Sequence, residues 1–263
     1  MAKRTPAKIA KQSTPVSTPK SFRVFICVLV PLAAAQIALL VNPIVGVYVN
    51  AAAFAALVAL ALRQAAARQL AISAAILPVA NMVTLSLPQS SAFNQSMVFY
   101  DALLLVALLY RFWFTLDQPL PYSRLAAKGY AFALPLMVVL GEALGVLGYG
   151  MLRNHYPYHG VSLPLVALVV VVLAITEETF FRGLIQQRAA LVMSPILAAT
   201  LSTLLYTLVS IGHVTILAPL FALLAGAVLS LTYYKKQNLV LTTTINAAMK
   251  LTYLGLLASF TLR

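Results

Sequence analysis

Residues 163–182 read LPLVALVVVVLAITEETFFR, an apolar run that closes on Glu177, Glu178 and Arg182. No charge interrupts it from Leu163 to Ile175. About 20 apolar residues cross the hydrocarbon layer of a bilayer as a helix. The stretch therefore predicts a membrane helix with three ionisable groups near one end. Each such group costs about 2.5–3.5 kcal/mol to insert near the membrane centre. Ionisable residues at that depth are functional-site candidates, expected to have partners.

The rest of the chain has the same character. Of its 263 residues, 62% are hydrophobic and 9% charged, with a mean hydropathy of +0.95. A soluble domain carries about 25% charged residues. Nine apolar stretches are expected at 24–41, 44–62, 70–87, 98–114, 130–152, 162–185, 191–212, 215–234 and 239–258. The expected fold is all-α, a polytopic transmembrane helical bundle of eight to nine spans. Residues 1–22, rich in Lys, Ala, Pro, Ser and Thr, are expected to be a disordered basic tail. Residues 23–160 are read as N-terminal transmembrane helices. Tyr110, Trp113, Tyr122 and Tyr130 near span ends fit an interfacial aromatic belt.

The net charge of +13 raises nucleic acid as a partner, and the placement of the charge argues against it. Lys3, Arg4, Lys8, Lys11, Lys20 and Arg23 lie in or next to the tail, and most other basic residues lie in short loops. With a cytoplasmic N-terminus, nine spans put Arg63, Arg68, Arg111, Arg124, Lys128, Arg188, Lys235 and Lys236 on the cytoplasmic side. Only Arg153 and Arg263 fall outside. That asymmetry is the positive-inside pattern, and the expected polyanion is membrane lipid. The expected location is a bacterial-type plasma membrane.

Several features have ordinary structural readings. Cys27, the single cysteine, reads as a small packed hydrophobe. Gly141 and Gly145 form a Gly-x-x-x-Gly pair suited to close helix packing. His155 and His159 flank Tyr156-Pro157-Tyr158, so proline breaks their helical spacing and a solvated loop is expected. Asp101 lies near a span end, where it meets water. Glu142, in mid-span beside Gly141, is expected to be protonated or paired with Lys250, with proton coupling as its functional reading.

The chemistry concentrates at 177–182. On a helix, Glu178 and Arg182 are four residues apart with the acid first, the favoured order for an ion pair. Glu177 is rotated about 100° from Glu178. It is thereby free to face a cavity as a general base. A wholly structural ion cluster is the competing reading.

Here the sequence resembles the CPBP family, the CAAX prenyl proteases and bacteriocin-processing-like intramembrane endopeptidases. Their first motif, Glu-Glu-x-x-x-Arg, stands as Glu177-Glu178-Thr179-Phe180-Phe181-Arg182, followed by Gly183. The second motif, Phe-x-x-x-His, keeps His213 but has Val209 at the Phe position. The third, His-x-x-x-Asn, aligns with Asn246-Ala247-Ala248-Met249-Lys250 and is substituted at both ends. The resemblance covers about the last 100 residues and implies a CAAX-protease-like C-terminal half, 161–263. It implies that Glu177 activates water with His213, that Glu178 and Arg182 structure the site, and that the third motif supplies oxyanion donors. Asn246 and Lys250 retain N–H donors and share a helix face. Glu177 and His213 alone fall short of the three protein ligands typical of catalytic zinc, so no cofactor is expected, with a metal left open.

Two outcomes stay open for Lys250. It donates to the oxyanion, or it reaches Glu177 or Glu178 and neutralises a carboxylate that would otherwise act as base. Three functions follow: an intramembrane endopeptidase hydrolysing a hydrophobic or lipid-anchored peptide or protein substrate, a catalytically impaired relative acting as a membrane binding or scaffold protein, or a proton-coupled small-solute transporter using Glu142, Glu177 and Lys250. Depth is consistent for two elements. Glu177 lies about 16 Å along its helix from Arg188 at 1.5 Å per residue, and Asn246 lies a similar distance from Lys236. His213 is expected near the opposite end of a straight span.

Overall fold

Proline and asparagine fix where several helices begin. In the computed structural model, which describes residues 19–86, 102–107, 109, 127–152, 162–209 and 217–261, helix α1 (Pro19–Val41) leads almost directly into α2 (Pro43–Arg63). Asn42 Oδ1 accepts from the N–H groups of Ile44 at 2.8 Å and Val45 at 3.3 Å. Pro43 occupies the first turn, where a missing N–H leaves no bond unmade. A 3-10 turn (Ala65–Ala67) opens α3 (Arg68–Ala74), and α4 (Ile76–Ser86) follows.

The second half contains α5 (Ala127–Leu152), α6 (Leu163–Glu178), a π-helical segment (Thr179–Gln186) and α7 (Gln187–Ala190). Then come α8 (Pro195–Val209), α9 (Leu217–Lys236) and α10 (Leu239–Thr261). Between α9 and α10 the chain turns on Gln237, in the left-handed region at φ 47°. Asn238 closes the turn: its Oδ1 accepts from Leu241 N–H at 3.3 Å, and its Nδ2 donates to Tyr130 Oη at 2.8 Å.

Six segments among the described residues are long and apolar enough to cross a membrane: Lys20–Val41, Pro43–Arg63, Ala65–Leu85, Gly129–Leu152, Leu163–Ala190 and Leu217–Lys236. This is an integral membrane architecture, and the larger count of eight to nine spans is not established. The stretch expected at 98–114 falls mostly outside the described residues, with 102–107 helical. Helix α8 is described over 15 residues, and residues 210–216 beyond it lie outside the described residues. Helix α10 has 23, but Thr242, Thr243, Thr244, Asn246 and Lys250 leave it too polar by composition.

Among the described residues, three apolar clusters hold the helices together. The largest joins α1–α4 to Phe180, Phe181 and Ile185 of the π segment and to Leu201 and Leu205 of α8. A second packs α5, α9 and α10 around Leu229, Leu241 and Ile245. The third joins Val166 and Val170 of α6 to Leu254 and Leu257 of α10. Helix α5 lies close against α10 because Gly141 and Gly145 lack side chains. A Cβ at Gly141 would stand 2.5 Å from Ile245 O, and one at Gly145 2.5 Å from Met249 O. Arg188 Nη1 donates to Gln69 Oε1 at 2.6 Å, so the start of α3 and the end of α7 share one end of the bundle. Cys27 is exposed on the outer face of α1 rather than packed inside, because the buried stripe of that helix runs through Val24, Val28 and Leu32.

Candidate functional site

The site forms where α6 passes into the π segment and meets α10. π-helical turns are rare and concentrate at functional sites. Here the segment buries Phe180 and Phe181 as well as Arg182 and Gln186. Glu178, Arg182 and Gln186, spaced by four, are all buried. Arg182 Nη1 donates to Glu178 Oε1 at 3.0 Å. Its Nη2 donates to the carbonyl oxygen of Gly226 on α9 at 3.2 Å, and Gln186 Nε2 donates to Ser230 O at 2.9 Å. The two contacts step by four residues in the same direction on both elements, so the π segment and α9 run parallel.

Arg182 is enclosed on its faces too. Its guanidinium carbon lies 4.9 Å from the ring centre of Tyr206 and 5.9 Å from that of Phe181. Those two rings meet edge to face at 5.3 Å. A buried cation needs this combination of carboxylate, carbonyl and aromatic faces, because each replaces part of the lost hydration.

Helix α10 supplies the other side. Asn246 Nδ2 donates to Glu177 Oε2 at 2.9 Å and to Glu178 Oε1 at 3.0 Å. Lys250 Nζ donates to Glu177 Oε1 at 2.7 Å. Glu177, Glu178, Arg182, Asn246 and Lys250 therefore converge. Two acids face two bases, so the cluster is charge-neutral as a unit. The Lys250 side chain is 24% exposed against 2% for Glu177, which makes the ammonium the accessible edge of the cluster. Asn246 Oδ1 and Arg182 Nε are buried with no hydrogen-bond partner among the described residues.

Both oxygens of Glu177 accept hydrogen bonds, and the Asn246 amide bridges Glu177 and Glu178 across their helical offset. Lys250 pairs with Glu177, while Glu142 lies outside the cluster and lines a groove between α5, α6 and α10. His213, Asp101, His155 and His159 lie outside the described residues.

Some contributors escaped the sequence reading. Tyr206 is one aromatic among several on α8, and no spacing marks it. Gly226 interrupts α9 where a Cβ would stand 3.0 Å from the Tyr206 ring. A lone glycine in an apolar helix is the only available signal for its carbonyl, which also accepts from Thr203 Oγ1 at 3.3 Å.

Helical among its described residues, with six segments long and apolar enough to cross a membrane, the chain is an integral membrane protein that carries a buried cluster of acids, bases and an amide. Residues 159–252 match the family described as type II CAAX prenyl endopeptidase Rce1-like, within the CPBP family. That segment contains every member of the cluster, so the cluster lies within the stretch that is similar to this family. No curated protein and no solved structure matches the chain.

Proposed function

We propose that the protein is an intramembrane endopeptidase of the CAAX-protease type, acting on a membrane-anchored or hydrophobic polypeptide through glutamate-activated water. The observation that carries this reading is the meeting of Glu177 with two nitrogen donors, Asn246 Nδ2 at 2.9 Å and Lys250 Nζ at 2.7 Å, across two helices. A base beside donors aimed from one side is what hydrolysis of an amide requires.

Glu177, with His213, takes a proton from water as its oxygen bonds to the scissile carbonyl carbon. The carbonyl oxygen becomes an oxyanion held by the Asn246 amide and the Lys250 ammonium. The C–N bond then breaks, and the proton on Glu177 passes to the leaving amine. An ammonium carries three donors, so Lys250 can keep one bond to Glu177 while another reaches the oxyanion. Glu178 and Arg182 hold the frame. On the asymmetry of basic residues we place the N-terminus in the cytoplasm, in a bacterial-type plasma membrane.

One observation favours a second reading. The 2.7 Å pair between Lys250 and Glu177 occupies the carboxylate that hydrolysis would need for water. On this reading the chain binds membrane partners without cleaving them. Crosslinking of membrane proteins to the wild type and to Glu177→Gln separates the two. A peptidase gives trapped substrates that accumulate only on the variant, whereas a scaffold gives the same partners at the same level on both.

A further inference from the structure

Helices α5, α6 and α10 enclose a groove of about 610 Å³ outside the Glu177 cluster. It follows α10 from Leu239 to Thr252, about 20 Å at 1.5 Å per residue. Most of its lining is aliphatic, with the hydroxyl-bearing Thr179, Thr243 and Thr244 among the remainder. One carboxyl group faces it, that of Glu142. Glu142 sits near the middle of the span Gly129–Leu152, at the level where Gly141 meets Ile245 and Met249. Neither ion pair among the described residues includes it. It is exposed, so the carboxyl opens on the groove.

The lining selects the occupant. An extended peptide would bring backbone polar groups that lipid cannot satisfy. A single alkyl chain suits the aliphatic walls, and the volume lies within the range of ordinary ligand sites. An acid at this depth calls for a partner of opposite charge.

We propose that this groove binds a long-chain amphiphile bearing a protonated amine, with the amine on Glu142 and the alkyl chain along α10. This site is separate from the proposed hydrolytic cluster and does not depend on its activity.

The test uses the purified full-length protein in neutral detergent, with thermal unfolding read against dodecylamine, dodecanol and a lysine-bearing hydrophobic helical peptide. Dodecylamine is expected to raise the midpoint by about 5 °C at saturation, and dodecanol by much less. Glu142→Gln is expected to remove the preference for the amine. Ala247→Phe, which fills the groove floor, is expected to remove both responses. Equal shifts from dodecylamine and dodecanol would overturn the proposal, as would no shift from either, or stabilisation by the peptide alone. An unchanged amine preference in Glu142→Gln would overturn it as well.

Discussion

Lys250 Nζ lies 2.7 Å from Glu177 Oε1, joining a cation on α10 to the first carboxylate of the Glu-Glu-x-x-x-Arg motif on α6. The pair completes a group of two acids and two bases buried between helices. Removing one partner of a buried pair leaves an uncompensated charge and costs about 3–5 kcal/mol, while exposed pairs are worth about 0–1 kcal/mol. With Lys250 partly exposed, Lys250→Met should lower stability by about 1–3 kcal/mol. The double variant with Glu177→Gln should recover most of that loss. A double-mutant cycle on unfolding in detergent reads the coupling directly.

The Glu178–Arg182 pair is wholly buried, so its disruption should be more severe. Arg182→Leu should destabilise by about 3–5 kcal/mol. Arg182→Lys should not restore the wild type, because one ammonium cannot engage Glu178, the Gly226 carbonyl and the Tyr206 face in the planar arrangement of the guanidinium. Size-exclusion profiles of the expressed variants, with the folded fraction as readout, check both.

Close approach of α5 to α10 sets a third expectation. Gly145→Val should force the helices apart, with an overpacking cost of about 1–3 kcal/mol. Gly150 has nothing within 4 Å of a new Cβ, so Gly150→Ala should be neutral or stabilising by up to about 1 kcal/mol. Comparing the two variants by thermal unfolding separates helix packing from a general effect of losing glycine.

Much of this was legible in the amino-acid order. The uncharged run from Leu163 to Ile175 predicted a membrane helix, and Leu163–Ala190 is long and apolar enough to cross, while the four-residue spacing of Glu178 and Arg182 already implied their ion pair. Positions 246 and 250 were marked by the spacing of the third motif, and their donors do face the two glutamates. The π segment was not legible, because a shift from i→i+4 to i→i+5 bonding leaves no mark in side-chain polarity. The engagement of both Glu177 oxygens depends on how Asn246 and Lys250 reach across from another helix, which no local pattern encodes. The apolar stretch expected from residue 191 becomes helix α8 only from Pro195, which sets its start.

The proposed role of Glu177 is tested most directly by comparing protein termini in membranes from cells that carry either the wild type or Glu177→Gln at equal abundance. New N-termini, generated by cleavage within or beside hydrophobic segments, are expected with the wild type. They should fall by about 10²–10⁴-fold in the variant, the usual weight of a general base. An identical set of termini from both proteins, at the same levels, would contradict the assignment of Glu177 as the base of a peptidase.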